Sequence, residues 1–80
     1  MTEEEIYVSL NEIFRELFDD DTITLSPKTT AGDVDGWDSF SHLNIIVATE
    51  MKFGIRFDTA EVEGMENIGE MVSLIEKKSS

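Results

Sequence analysis

The chain has 80 residues, of which 40% are hydrophobic, and this is enough for one small domain but not for a second. It contains no cysteine, which excludes disulfides, thiolate metal sites and a cysteine nucleophile and favours a reducing compartment. Eighteen acidic and six basic residues give a formal net charge of −12, which repels nucleic acid and anionic lipid and attracts basic protein surfaces.

The first predicted helix covers about residues 3–18. Residues 2–5 form a capping box with acid in the first turn, and aspartates at 19–21 place negative charge where the helix dipole disfavours it, so the helix should end there. The apolar residues that recur at helical spacing are Ile6, Leu10, Ile13, Phe14 and Leu17. Residues 19–37 then form a long connection, because Pro27 breaks any helix.

The second predicted helix runs from about Ser39 to Phe53 and ends at Gly54, which suits a left-handed C-terminal cap. Asp38 lies at the N-cap, so Ser39 takes the first helical position with its hydroxyl at the helix end. The backbone N–H groups and the positive pole of the dipole there favour an attached anion, such as a phosphate ester on Ser39. One apolar stripe, with Ile46 beside it, consists of Phe40, Leu43, Val47 and Met51.

Two shorter patterns complete the chain. A second capping box at residues 58–61 predicts a helix of one or two turns that ends at Gly64, and Asn67 begins the cap of a final helix. The buried face of that final helix should consist of Ile68, Met71, Val72 and Ile75. The predicted fold class is therefore all-α, a small bundle of three main helices and one short helix with a long loop between the first and second helices. We expect a single domain over residues 1–78 and a short unstructured tail at 79–80.

The N-terminal region is acidic where a signal peptide would be basic, and no apolar run approaches the roughly 18 residues of a membrane span. Together with the net charge, this predicts a cytoplasmic monomer that binds neither nucleic acid nor membrane. The alternative explanation of the net charge is that it only keeps the protein soluble.

Ser39 and His42, the one histidine of the chain, are three positions apart on one helix, a spacing that invites comparison with a serine hydrolase. The Gly-x-Ser-x-Gly elbow and the preceding strand of that class are missing, so we predict no catalytic residue. His42 is expected to be a solvated side chain that at most contacts a partner.

The acidic loop partly matches an EF-hand, because Asp33, Asp35 and Gly36 occupy positions 3, 5 and 6 of a loop that starts at Ala31. Position 12 is then His42, and neither it nor Ala31 provides a carboxylate, so no dedicated metal site is predicted. Weak divalent-cation binding by the loop, and an unmodified acidic helical adaptor with a degenerate calcium-type loop, are alternatives.

The order of motifs around Ser39 resembles the acyl carrier protein family over nearly the whole chain. The segments that carry the resemblance are Leu25-Ser26-Pro27, Thr29-Thr30, Asp33-Val34-Asp35-Gly36-Trp37-Asp38-Ser39 and Glu50-Met51-Lys52-Phe53-Gly54-Ile55. The resemblance implies that a phosphopantetheinyl transferase moves 4′-phosphopantetheine from coenzyme A onto Ser39, with Asp38 and Phe40 beside the cofactor. The thiol of the arm would then hold acyl groups as thioesters for fatty-acid-like, polyketide or other specialised biosynthesis. An aminoacyl or peptidyl carrier is the alternative.

The resemblance also implies docking to acyl-loading, condensing or modifying enzymes that have basic patches. Many fatty-acid carriers have an acid-rich second helix, whereas here only Glu50 is acidic between residues 39 and 53, which favours a specialised pathway. The predicted docking residues are Asp35, Trp37, Asn44, Val47, Glu50, Met51, Glu61 and Glu63. Phe40, Phe53 and Phe57 are expected to crowd an acyl cavity between the second and third helices, which favours short or polar cargo. The alternative is that the three rings are ordinary core aromatics.

Overall fold

The computed structural model describes residues 2–79. The four helices in this range are α1 (Glu3–Phe18), α2 (Ser39–Phe53), α3 (Thr59–Gly64) and α4 (Ile68–Ser79), and a 3₁₀ turn covers Ala31–Asp33. Residues 2–79 contain no strand. The predicted all-α bundle of three main helices and one short helix is therefore confirmed, as is the long connection between the first two.

The ends of the helices follow the predicted capping signals. The Thr2 hydroxyl accepts a hydrogen bond from the Glu5 backbone N–H at 3.2 Å, and the Glu5 carboxylate accepts one from the Thr2 N–H at 3.1 Å. Asp19 ends α1 and Gly54 ends α2, both in the left-handed conformation (φ 52° and 67°). The tail predicted at 79–80 is wrong for Ser79, because α4 includes it and two lysines in its last turn suit the helix dipole there; Ser80 lies outside the described residues.

The core lies between α1, α2 and α4. Phe14 of α1 is fully buried at its centre, and its ring contacts those of Phe18 and Trp37 with centroids 5.9 and 5.1 Å away. The other buried apolar side chains of this cluster are Ile6, Leu10, Leu25, Ile45, Ile46, Ile55, Ile68, Met71, Val72 and Ile75. Burial of this apolar surface is the main term that holds so small a domain together.

The long loop between α1 and α2 is held on both sides. The Arg15 side chain of α1 donates from Nε to the Ile23 carbonyl at 2.7 Å, which fixes the first part of the loop. The carbonyls of Pro27 and Thr29 accept hydrogen bonds from the N–H groups of Gly69 and Ile68, at 3.0 and 2.9 Å. The loop thereby satisfies N–H groups that the first turn of α4 cannot pair internally.

Gly69→Ala is expected to lower the free energy of unfolding by about 1–3 kcal/mol, the usual cost of overpacking. A Cβ atom at this position would lie 3.0 Å from the Pro27 carbonyl oxygen and 3.2 Å from its Cβ, so the loop would have to move away from α4. Chemical denaturation measures the effect. Gly64→Ala is the matched control, because a Cβ there meets no atom within 4 Å, and its stability should not fall. Equal stability of Gly69→Ala and wild type would contradict this account of the loop.

The orientation of α2 differs from the simplest expectation of an amphipathic helix. The stripe of Phe40, Leu43, Val47 and Met51 faces solvent, and the residues buried in the core are Ile45, Ile46 and Thr49. An α-helix turns by about 100° per residue, so these two sets lie on nearly opposite faces of α2. Because both faces are apolar, periodicity alone did not show which one the bundle buries. Thr49 fits the core because its hydroxyl donates to the Ile45 carbonyl at 2.7 Å.

Candidate functional site

Ser39 lies on the surface at the first residue of α2. Asp38 caps the helix, and its carboxylate accepts a hydrogen bond from the Ser41 backbone N–H at 2.8 Å. The Ser41 hydroxyl donates to the Gly36 carbonyl at 2.9 Å, which ties the loop to the first turn of α2. Within residues 2–79, the Ser39 hydroxyl has no hydrogen-bond partner, so it is available to an external reagent.

The hydrogen bond from the Ser41 backbone N–H holds the pKa of the Asp38 carboxyl below its ordinary value. A carboxylate whose pKa is lower in the folded than in the unfolded state stabilises the fold above its unfolded pKa and ceases to do so as the pH falls through its folded pKa. The charge that caps the start of α2 is therefore present at neutral pH.

Asp38→Asn gives a pH test of this cap, because asparagine still caps a helix but does not titrate. The stability advantage of wild type over Asp38→Asn should be largest near neutral pH and should shrink as the pH falls below ~4, where carboxylates protonate. Thermal unfolding of both proteins across this range measures the difference. A difference that stays constant with pH would contradict a role for the Asp38 charge.

Trp37 connects the site to the core. Its half-buried ring packs edge-on against Phe14, with centroids 5.1 Å apart and planes at 79°. The preceding residue, Gly36, has a φ of 88°, a left-handed conformation that favours glycine and lets the loop turn Trp37 inward. The position of Ser39 is therefore set by an aromatic contact two residues earlier.

His42 is not the solvated side chain that the sequence suggested. It is half-buried and lies beside Trp37, with ring centroids 5.9 Å apart and planes at 26°. Trp37 donates from Nε1 to His42 Nδ1 at 3.2 Å, and His42 Nε2 lies 3.4 Å from the Val62 carbonyl oxygen. Both ring nitrogens therefore face partners other than Ser39, which leaves no general base for a hydrolase at this serine.

A cleft of about 580 Å³ opens directly beside Ser39, between the start of α2, α3 and the start of α4. Its size is within the range of small-molecule sites in proteins. Its lining residues are Ala31, Trp37, Asp38, Ser39, His42, Leu43, Val62, Glu63, Met65, Glu66, Asn67, Ile68 and Met71. The apolar members of this set, which come from the loop, α2, α3 and α4, give the cleft an interior suited to a hydrocarbon chain.

The expectation that aromatic rings crowd this space is wrong. Phe40 is exposed to solvent, and Phe53 and Phe57 are half-buried against the core. None of the three lines the cleft. Phenylalanines at these positions therefore do not limit the length of a cargo, and the apolar side chains at the cleft are aliphatic or methionine apart from Trp37.

The predicted docking residues do not form one surface. Asn44, Val47 and Met51 are exposed together on the outer face of α2, while Asp35 and Glu63 are exposed beyond it. The other three contact residues of the same chain: Trp37 packs on Phe14, Glu50 accepts a hydrogen bond from Phe57, and Glu61 pairs with Lys78.

The two glutamates in that set are used within the bundle. Glu50 accepts a hydrogen bond from the Phe57 N–H at 2.9 Å, which joins α2 to the segment before α3. Glu61 accepts from the Asp58 N–H at 2.8 Å and pairs with Lys78 at 2.8 Å. The hydrogen bond from the Asp58 N–H lowers the pKa of the Glu61 carboxyl most, and the contact with Lys78 lowers it further.

The acidic loop shows no arrangement for a cation. Asp33 is engaged locally, because its carboxylate accepts hydrogen bonds from the Thr30 N–H at 2.9 Å and the Thr30 hydroxyl at 3.2 Å. Residues 2–79 contain no group of three or more histidine, cysteine, aspartate or glutamate side chains placed to share a metal ion. Within the same range, none of the helices is both long and apolar enough to cross a membrane.

Comparison with known proteins identifies the family of this chain. The chain is 33% identical to an acyl carrier protein of Acidothermus cellulolyticus, over 94% of this chain and 89% of that protein. This chain belongs to the acyl carrier protein family. A second acyl carrier protein, from Thermotoga maritima, is 31% identical over 94% of this chain and 93% of that protein. No protein-family model matches the chain.

The fold of the acyl carrier protein family is matched as well. The solution structure of a holo acyl carrier protein from Geobacter metallireducens superposes with a TM-score of 0.85 and 42% identity, covering 91% of this chain and 84% of that one. Acyl carrier proteins are carriers rather than enzymes, which agrees with a serine that has no base beside it. The sequence did not indicate Val62 and Met65 as lining residues, because only the packing of α3 and the residue after it brings them to Ser39. Leu43 lines the cleft from α2 itself, about one turn after Ser39.

Proposed function

We propose that Ser39 is the attachment site of 4′-phosphopantetheine and that the chain carries acyl groups as thioesters on that arm. The observation that carries this proposal is the exposed Ser39 hydroxyl at the N-terminus of α2, with no internal partner in residues 2–79 and an apolar cleft beside it. When bound, the group supplies a thiol, which the chain itself lacks because it has no cysteine.

The residues around Ser39 fit such a group. The start of α2 offers backbone N–H groups and the positive end of the helix dipole to a phosphodiester, while Asp38 directs its own charge to the Ser41 N–H. In the transfer, the Ser39 oxygen forms the new bond to phosphorus, the hydroxyl proton leaves to the transferase, and the nucleotide half of coenzyme A departs. Nothing in the carrier needs to activate the serine, since the transferase provides the base.

The test is to incubate the chain with coenzyme A and a phosphopantetheinyl transferase and to measure its intact mass. We expect a gain equal to one phosphopantetheine group, located by fragmentation to the peptide that contains Ser39. An unchanged mass with a transferase that modifies another carrier in the same experiment would contradict the proposal.

We also propose that partner enzymes dock on the exposed apolar stripe of α2, which consists of Phe40, Leu43, Val47 and Met51. Their side chains are 75%, 60%, 54% and 80% exposed. The single acidic residue of α2, Glu50, is bonded to the Phe57 N–H, so the outer face of this helix carries an apolar stripe with the uncharged Asn44 beside it within a strongly acidic protein. A partner surface with an apolar centre and a basic rim complements this pattern. The scarcity of acid on α2 supports partners from a specialised biosynthetic pathway.

Val47→Asp is expected to raise the KM of the transferase for this carrier about tenfold or more, because docking would bury an unpaired charge. Steady-state kinetics with the carrier as the varied substrate measures the effect. Val8→Asp on α1 is the matched control, since Val8 and Val47 are both 54% exposed. If the two substitutions change KM equally, the stripe is not the docking surface.

A further inference from the structure

We infer that His42 is the specificity-determining residue of the cleft and that it favours hydroxyacyl chains over saturated acyl chains. This inference rests on the proposed function, because it concerns the cargo of the arm on Ser39. It concerns the part of the cleft wall where His42 Nε2 and the Val62 carbonyl oxygen lie 3.4 Å apart.

The position of His42 is the first step. It lies one helical turn after Ser39 and lines the cleft together with apolar side chains such as Leu43, Val62 and Met71. The other polar lining residues are exposed except Asn67, whose side-chain oxygen accepts a hydrogen bond from the Glu70 N–H at 2.9 Å. The imidazole therefore borders the same cleft as Ser39 and the apolar side chains.

The tautomer of His42 is the second step. An indole N–H can only donate, so the 3.2 Å contact from Trp37 Nε1 requires His42 Nδ1 to be the acceptor. In the neutral ring the proton is then on Nε2. The hydrogen bond from Trp37, whose ring plane is within 26° of the imidazole plane, holds the imidazole in this orientation. His42 accordingly presents an N–H donor on the side of α3.

The weakness of the bond from that donor is the third step. Nε2 lies 3.4 Å from the Val62 carbonyl oxygen, beyond the 2.7–3.2 Å of well-formed N–H···O bonds. A hydroxyl group both accepts and donates, so a hydroxyl on the cargo that replaces this long contact can accept from Nε2–H and donate to the Val62 carbonyl once the two groups move apart. An oxo group can only accept a hydrogen bond from Nε2–H. A saturated chain forms no hydrogen bond and leaves the long bond between Nε2 and the Val62 carbonyl unchanged. The expected order of stabilisation is hydroxyacyl, then oxoacyl, then saturated.

The experiment loads wild-type protein from hydroxyacyl-, oxoacyl- and saturated acyl-coenzyme A of equal chain length and compares thermal unfolding. The hydroxyacyl form should unfold at least about 4 °C above the saturated form, the shift expected from one added hydrogen bond in a domain of this size. Equal unfolding temperatures of the two forms would overturn the inference. Failure of any form to load would instead contradict the proposed function.

His42→Phe is the matched variant, because phenylalanine keeps a ring against Trp37 but removes the donor. It should abolish the difference between hydroxyacyl and saturated forms, and a difference that persists would overturn the inference. A second measurement needs no variant: the NMR signals of His42 Nε2–H and Trp37 Nε1–H are compared among the loaded wild-type forms. The Nε2–H signal should shift in the hydroxyacyl form alone or most strongly there, and an identical signal in all forms would overturn the inference.

Discussion

Ser39→Ala is expected to abolish the gain of phosphopantetheine completely while leaving the fold intact. The substitution removes the oxygen that would bond to phosphorus, and no other hydroxyl occupies the first position of α2. The fold should tolerate it because Ser39 is exposed and its hydroxyl has no partner within residues 2–79, so stability should change by no more than about 0.5 kcal/mol. Intact mass after incubation with coenzyme A and transferase measures the first effect, and chemical denaturation the second.

Ser41→Ala is the control for this prediction. Ser41 lies two residues further along α2, and its hydroxyl donates to the Gly36 carbonyl rather than remaining free. The Ser41→Ala protein should therefore still gain the full mass of the group, although its loop is held less firmly. A Ser39→Ala protein that still gained the mass would refute Ser39 as the attachment site.

Phe14→Ala should have the largest effect on stability, lowering the free energy of unfolding by about 3–5 kcal/mol. Phe14 is fully buried, and its removal leaves a cavity against Phe18 and Trp37 that the surrounding helices fill only partly. Small domains have only about 5–15 kcal/mol of stability in total, so the variant should be partly unfolded at moderate temperature. Circular dichroism during thermal and chemical unfolding measures the loss.

Val8→Ala on the same helix is the control for Phe14→Ala. Val8 is exposed, so its truncation should change stability by no more than about 0.5 kcal/mol. The fluorescence of Trp37, the one tryptophan of the chain, gives a second measurement, because its ring packs directly on Phe14. A Phe14→Ala protein as stable as Val8→Ala would contradict the central place of Phe14 in the core.

The same aromatic contacts join the core to the site. Phe14 contacts Trp37, Trp37 holds His42 through its indole N–H, and His42 reaches Val62 of α3 across the cleft. The wall of the cleft beside Ser39 is therefore continuous with the bundle core. Because of these contacts, the core of this 80-residue domain fixes the position of the surface serine relative to the adjacent cleft.

The sequence by itself determined the local features of this protein. The capping box at Thr2, the left-handed cap at Gly54 and the helix start at Asp38 depend on residues close together in the chain, so each was predicted at its observed place. The pattern around Ser39 was equally local, and it pointed to the acyl carrier protein family before any coordinate was known.

Only the tertiary structure decided which surfaces are inside. Both faces of α2 are apolar, so the choice of Ile45 for the core and Val47 for the surface came from packing against α1 and α4. The engagement of His42 and the contents of the cleft depend on residues distant in the chain, such as Val62 and Met71, which α3 and α4 bring to Ser39. Helical periodicity shows that a face is apolar, but the elements packed against it determine whether that face is buried.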